Sequence, residues 1–260
     1  MNLHTYGNIM NRTVIIHYHM FKNAGTSVDK ILKENFGDNW IEIEGKNNKK
    51  LPAEEMADFI LAHPNIKAIS SHTATVSPPK LDETITVFPV FFMRHPICRI
   101  QSAYNFEKHQ SVQTPGAIKA KEGDFENYLY WRLSSPAPWQ VMNFHAMRLK
   151  DFHSFTPARQ IHLLRNRCID AMKSMPFIGI VENFEVSMRR YTKLISPYFP
   201  QFKTFDVMEN RTSDPNRNLA DKLADIENEI GRSAFTKLLH MNNIDIELYN
   251  WVRKHNKNII

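Results

Sequence analysis

In the first hundred residues, the apolar positions form short, nearly unbroken runs, each followed by a stretch with helical spacing. Thr13 to Tyr18, Trp40 to Ile43, Lys67 to Ser70 and Thr84 to Met93 read as strands. The last is apolar at almost every position, which suits a parallel strand covered on both faces. Thr26 to Phe36, Ala53 to Ala62 and Ile97 to His109 read as helices. Gly37 supplies the stop for the first, Pro52 and the acidic pair Glu54–Glu55 open the second, and Pro96 starts the third. Strands alternating with helices predict a parallel, right-handed βαβ sheet.

Beyond His109 the pattern changes. Gln110 to Glu122 is polar and contains Pro and Gly, and is expected to be a loop. Phe125–Trp131, Trp139–Leu149, Thr156–Met172, Glu182–Ile195 and Leu219–Lys254 have helical periodicity, with one more strand at Phe177–Val181. The expected fold class is α/β, a small central parallel sheet flanked by helices with a helix-rich C-terminal half. No repeat and no Gly/Ser- or Pro-rich linker divides it. The organisation expected is a polar segment over 1–12 and a single domain over 13–255.

Composition adds little to the fold but narrows the partners. At 260 residues, 42% hydrophobic and 23% charged, the chain can bury one sizeable core. A formal net charge of +6 suits an anionic nucleotide or an acidic acceptor. The basic residues are dispersed and form no block interleaved with aromatics, so nucleic acid is not an expected partner. Cys98 and Cys168 lie far apart in apolar contexts, which suits buried thiols in a reducing compartment rather than a disulfide or a metal pair. The N-terminal segment has no apolar core of a signal peptide, and no apolar run nears the ~20 residues that span a bilayer. A cytoplasmic protein without stable membrane insertion is expected; the alternative is the lumenal domain of a longer, membrane-anchored precursor. The oligomeric state is left open.

The chemistry concentrates in two places. From Val14 to Tyr18 a β-branched run feeds a turn containing Lys22, Asn23, Ala24, Gly25, Thr26 and Ser27, which opens into a helix. Unpaired N–H groups and the dipole make such a helix start an anion site. The turn lacks the Walker A order, in which Lys and Ser/Thr follow the last Gly; here Lys22 precedes Gly25. The apolar run ending at Met93 leads into Arg94, where Walker proteins place a magnesium-binding Asp. A cation there repels a metal and attracts a phosphate, so metal-free phosphate chemistry is expected. Ser102 follows Arg94 about two helical turns on, and Arg suits phosphate because its planar fork binds oxygens in pairs. The plainer alternative pairs Arg94 with a carboxylate and packs Ser102 in a helix.

The segment His19–Met20–Phe21–Lys22–Asn23–Ala24–Gly25–Thr26–Ser27 resembles the signature loop of the sulfotransferases that use 3′-phosphoadenosine 5′-phosphosulfate. Arg94–His95–Pro96–Ile97–Cys98–Arg99 through Ser102 is similar to that family's second signature. The closer likeness is to the carbohydrate-directed, heparan sulfate 2-O-sulfotransferase-like branch. Fainter echoes are Phe177–Phe184 and Asn243–Tyr249. Phe21 and Asn23 depart from the usual Pro and Thr. The resemblance implies a P-loop-like three-layer fold and a set of roles. Ala24 to Ser27, with Asn23, would hold the 5′-phosphate. Lys22 would assist departure of the sulfuryl group. Arg94 and Ser102 would hold the 3′-phosphate, with Arg211 in a late basic loop closing over the nucleotide. The co-substrate would be 3′-phosphoadenosine 5′-phosphosulfate, the product 3′,5′-adenosine bisphosphate, and the acceptor a hydroxyl on a glycan or small molecule, with no metal.

An acceptor hydroxyl needs a base, and His72 fits. It follows a short strand, which places it at the C-terminal sheet edge where ligands bind in open α/β folds, and imidazole suits general-base work near neutrality. It also resembles the base position of the glycan 2-O-type enzymes. The chain has 12 His, most of them structural or solvated. His19 reads as a loop support, His95 and His145 as weaker base candidates, and Glu182 as a helix-start residue or a base. Two other readings remain at this stage: a P-loop-like small-molecule kinase, and a non-catalytic nucleotide-binding module.

Overall fold

The computed structural model describes residues 12–150, 161–205 and 217–256. Among these residues five strands and ten α-helices follow one another: β1 (Arg12–Tyr18), α1 (Gly25–Phe36), β2 (Trp40–Glu42), α2 (Ala53–Ala62), β3 (Ala68–Ser71), β4 (Ile85–Met93), α3 (Pro96–His109), α4 (Pro115–Glu122), α5 (Phe125–Ser134), α6 (Phe144–Leu149), α7 (Ile161–Ser174), β5 (Ile178–Ile180), α8 (Phe184–Ile195), α9 (Leu219–Met241) and α10 (Asn243–Asn256). The strands form one sheet in the order β2-β3-β1-β4-β5, and every pairing is parallel. The expected α/β class and its parallel sheet are therefore present.

Alternation along the central strands explains the layers. Val14, Ile16 and Tyr18 of β1 and Phe91 and Met93 of β4 point to one face, where α2, α6, α7 and α10 cover them. Ile15, Val90 and Phe92 point to the other, against Val28, Ile31 and Leu32 of α1 and Met188, Tyr191 and Ile195 of α8. Both faces are buried, so the strand sequences read as continuous apolar runs. Pro89 lies inside β4, but β5 pairs with β4 only from Phe91 to Met93, so at Pro89 the strand has a single neighbour. A third apolar cluster joins α3, α5 and α9 beside the sheet.

Several expected boundaries move. Gln110–Glu122 is not all loop: Thr114 caps α4 by accepting from the Ala117 N–H at 3.1 Å, and Pro115 takes its first turn. Polar composition hid that signal. Trp139–Leu149 shortens to α6, because Asn143 before it is left-handed (φ 44°). Leu219–Lys254 is two helices meeting at Asn242, with a further break in α9 at Gly231 (φ 77°). The start of Thr156–Met172 lies outside the described residues, and α7 runs on to Ser174. Both cysteines are free and buried, as expected, and burial pushes each thiol up to about 12. Among the described residues no helix is long and apolar enough to cross a membrane.

Candidate functional site

The site lies where β1, β3 and β4 end. The turn between β1 and α1 reverses through two left-handed residues, Lys22 (φ 63°) and Ala24 (φ 60°). Side chains other than Gly adopt that region only where surrounding contacts hold them there. α1 begins at Gly25 with no capping side chain and no acidic residue in its first turn. Among the described residues no acceptor takes the N–H groups of Ala24, Gly25 or Thr26. The positive end of the helix dipole is left uncompensated, as at an anion cradle.

Two cations stand beside it. Arg94 leaves the end of β4 and reaches the Lys22 carbonyl at 3.4 Å. Lys22 lays its ammonium 4.5 Å from the centre of the Phe106 ring on α3, and Phe21 meets the same ring edge-on at 5.6 Å. Neither cation has a carboxylate within ion-pairing reach among the described residues. The alternative in which Arg94 is neutralised by an acid is thus absent there. Partial burial, and then Arg94, lower the Lys22 pKa. Ser102 is buried on α3 and makes no hydrogen bond to Arg94 among the described residues. Arg211 lies outside the described residues.

A histidine array continues from the loop. His17 and His19 direct their Nδ1 atoms at separate oxygens of Asp29 on α1, at 2.7 and 2.6 Å. The His19 ring lies on His72, centroids 3.7 Å apart. His72 follows β3, as expected for a residue at the sheet edge; its side chain is 44% exposed and its Nε2 is 3.7 Å from Glu42. Burial, followed by the charge of His19, lowers the His72 pKa against the opposing pull of Glu44, Glu42 and Asp29. The lowered pKa favours the neutral imidazole, the form a general base uses. Glu44 shapes this corner, accepting from the N–H groups of His72 and Thr73 at 2.8 Å each. No sequence pattern marked Glu44, since its partners, the backbone of His72 and Thr73 and the hydroxyls of Ser71 and Thr73, lie 27 to 29 residues away. His17, His19 and Asp29, and likewise Glu42, Glu44 and His72, are close enough together to share a cation. Asp29 already accepts from two ring nitrogens and Glu44 from two backbone N–H groups, while Glu42 lies 3.7 Å from His72 Nε2.

The remaining candidates resolve into supports. Glu182 accepts from the His95 N–H at 2.8 Å and from the Tyr249 hydroxyl at 3.0 Å, which makes it a helix-start residue. His95 packs edge-on to Tyr249, and burial first, then Arg253 and His145, lower its pKa to about 4. Asn23 turns inward and is 2% exposed; its amide donates to the Phe21 carbonyl at 3.0 Å and its oxygen meets His145.

Two predictions arise here. A Cβ on Gly25 would sit 2.0 Å from Cδ2 of His19. Asp29 and His72 hold that ring from two sides, so Gly25→Ala should cost about 1–3 kcal/mol in urea unfolding and detach His19 from Asp29. Burial opposes ionisation of Asp29, but the charge and hydrogen bond of His17, then those of His19, outweigh it and hold the carboxyl well below its usual range. A depressed folded-state pKa gives stability that is complete above the unfolded value of about 3.9 and lost as pH falls through and below it. Asp29→Asn should flatten this acid limb in unfolding titrations from pH 6 to pH 2; an unchanged limb would refute the assignment.

A parallel sheet whose first strand turns into an uncapped helix, with helices on both faces, defines an α/β protein of the P-loop-like class. The chain belongs to the Sulfotransferase family, whose profile matches residues 8–252. An uncharacterized protein of Archaeoglobus fulgidus is 37% identical over 250 residues, covering 92% of this chain and 96% of the relative. The family establishes sulfuryl transfer as the general activity.

Proposed function

We propose that the protein moves a sulfuryl group from 3′-phosphoadenosine 5′-phosphosulfate to a hydroxyl, on a carbohydrate or a small alcohol. The observation that carries this reading is the uncapped start of α1 beside Lys22 and Arg94, two cations with no carboxylate partner among the described residues. Such a cradle fits a ligand with more than one phosphate group and needs no metal to offset its charge. The donor supplies an activated sulfuryl group on a phosphate oxygen. The free N–H groups of Ala24 to Thr26, with the Thr26 and Ser27 hydroxyls, bind the 5′-phosphate. Lys22 offsets the charge that grows on the bridging oxygen as the sulfur–oxygen bond breaks. Arg94 and Ser102 take the 3′-phosphate. His72 accepts the acceptor's hydroxyl proton as the new sulfur–oxygen bond forms, and His19, fixed by Asp29, orients its ring.

Calorimetry with 3′,5′-adenosine bisphosphate in the absence of magnesium is the direct test. Tight binding is expected, and no detectable heat would overturn the reading. His72→Ala should lower kcat by about 10²–10⁴-fold while leaving affinity for the bisphosphate within a few fold. Equal losses in both would remove His72 from the role of base. The acceptor class is read by incubating the protein with labelled donor and a panel of glycans and small alcohols and weighing the products.

A further inference from the structure

The most completely buried polar cluster in the described structure is not at the sheet edge but beneath the loop. Asn23 is 2% exposed, and His145 on α6 and Asp245 on α10 are fully buried. The Asn23 amide nitrogen donates to the Phe21 carbonyl at 3.0 Å, and its oxygen faces His145 Nε2 at 2.9 Å. His145 Nδ1 faces Asp245 Oδ2 at 2.9 Å. Asp245 also accepts from the His145 N–H at 2.8 Å and the Ala146 N–H at 2.9 Å.

Proton positions follow from what each partner can do. A carbonyl only accepts, so the Asn23 amide must turn its NH₂ to Phe21 and its oxygen to His145. The opposite amide orientation would set two acceptors against each other at 3.0 Å. Nε2 of His145 therefore donates. Nδ1 faces a carboxylate that already receives two backbone N–H bonds, an arrangement that favours the anion, so Nδ1 donates too. Among the described residues the other titratable groups near the pair are Arg99 of α3, His95 just before α3, and Cys168 of α7. Arg99 stacks 4.3 Å from the Phe144 ring and donates from Nη2 to the Gln140 carbonyl, while its buried Nε and Nη1 have no hydrogen-bond partner among the described residues, so it adds positive charge near Asp245 without bonding to it.

We propose that His145 is a doubly protonated positioning residue that fixes the donor loop from below through Asn23. Asn23 stands between the two left-handed residues, Lys22 and Ala24, so its tether holds the backbone that forms the cradle. The role also accounts for an amide at position 23: only a side chain that donates and accepts at once satisfies both Phe21 and His145. The inference rests on the donor reading for its consequence, but not for its geometry.

The test combines spectroscopy and binding on the full chain. With ¹⁵N-histidine labelling at neutral pH, the residue whose signals vanish in His145→Gln should show two protonated ring nitrogens. Asn23→Ala should weaken 3′,5′-adenosine bisphosphate binding by about ten- to a hundredfold, the range for a lost charge-assisted hydrogen bond. It should add little in the His145→Gln background, because both variants cut the same bond. A single protonated nitrogen on His145, or wild-type affinity in Asn23→Ala, would overturn the proposal. If the unaltered protein fails to bind the bisphosphate, the donor reading falls and the spectra alone decide this one. The spectra of the unaltered protein also decide it if a variant does not fold.

Discussion

Lys22→Ala should reduce sulfuryl transfer by about 10²–10³-fold or more, the loss seen when one preorganised donor is removed from a developing negative charge. The expectation is sharper than for an ordinary surface lysine. The Lys22 ammonium is held over the Phe106 ring, and its own backbone is fixed in a left-handed turn whose carbonyl receives Arg94. Little ordering is left to be done when the reaction begins, so the interaction acts mainly in the transition state. Single-turnover assays with labelled donor should show the loss in the chemical step. Arg94→Ala should also abolish measurable transfer, with more of its effect in donor affinity. Transfer by Lys22→Ala within tenfold of the unaltered protein would remove Lys22 from the chemistry.

The largest stability effect is expected at Asp245. Alanine there leaves the His145 and Ala146 N–H groups and the His145 ring without their acceptor, with no solvent to replace it. Breaking a buried charged pair from one side typically costs about 3–5 kcal/mol, which for a chain of this size lowers Tm by on the order of 10 °C. Asp170 provides the contrast. It also faces a cation, Lys173 at 3.2 Å, but both side chains are more than 60% exposed. Asp170→Ala should therefore change stability by less than about 1 kcal/mol. Parallel urea titrations of the two variants check the pair, and similar losses would show that the Asp245 network contributes no more than a surface contact.

Local signals were readable along the chain, and distant partnerships were not. β1, the following turn and α1 were legible because β-branched residues, Gly25 and a helix start fall in order over a few positions. β4 and α3 were legible because an apolar run meets Pro96. α4 carried its own cue in Thr114–Pro115, and a polar composition obscured it. The breaks at Asn143 and Asn242 were missed because the residues on either side keep helical periodicity. Those two asparagines exchange caps with the opposite helix: Asn242 accepts from the Asn143 N–H, and Asn143 accepts from the Asp245 N–H. Within the candidate site, Lys22, Arg94 and His72 followed from strand ends. Phe106, Asp29 and Glu44 did not, because each acts on a residue brought near only by the sheet. Asn23 was noticed as a departure from the usual Thr, but its inward turn depends on His145, 122 residues later.

That separation bears on how a newly made chain matures. Synthesis at ~5–20 residues per second leaves a delay on the order of tens of seconds between the appearance of Asn23 and of Asp245. Throughout that interval the turn between β1 and α1 lacks the contacts that run from Asn23 through His145 to Asp245. Contacts this distant also carry a loop-closure cost that slows folding of the finished chain. A ribosome-bound fragment ending before Asn243 can form its first strands and helices and still lack these contacts, so under the proposed role of His145 competence to hold a nucleotide would come only with the last helix.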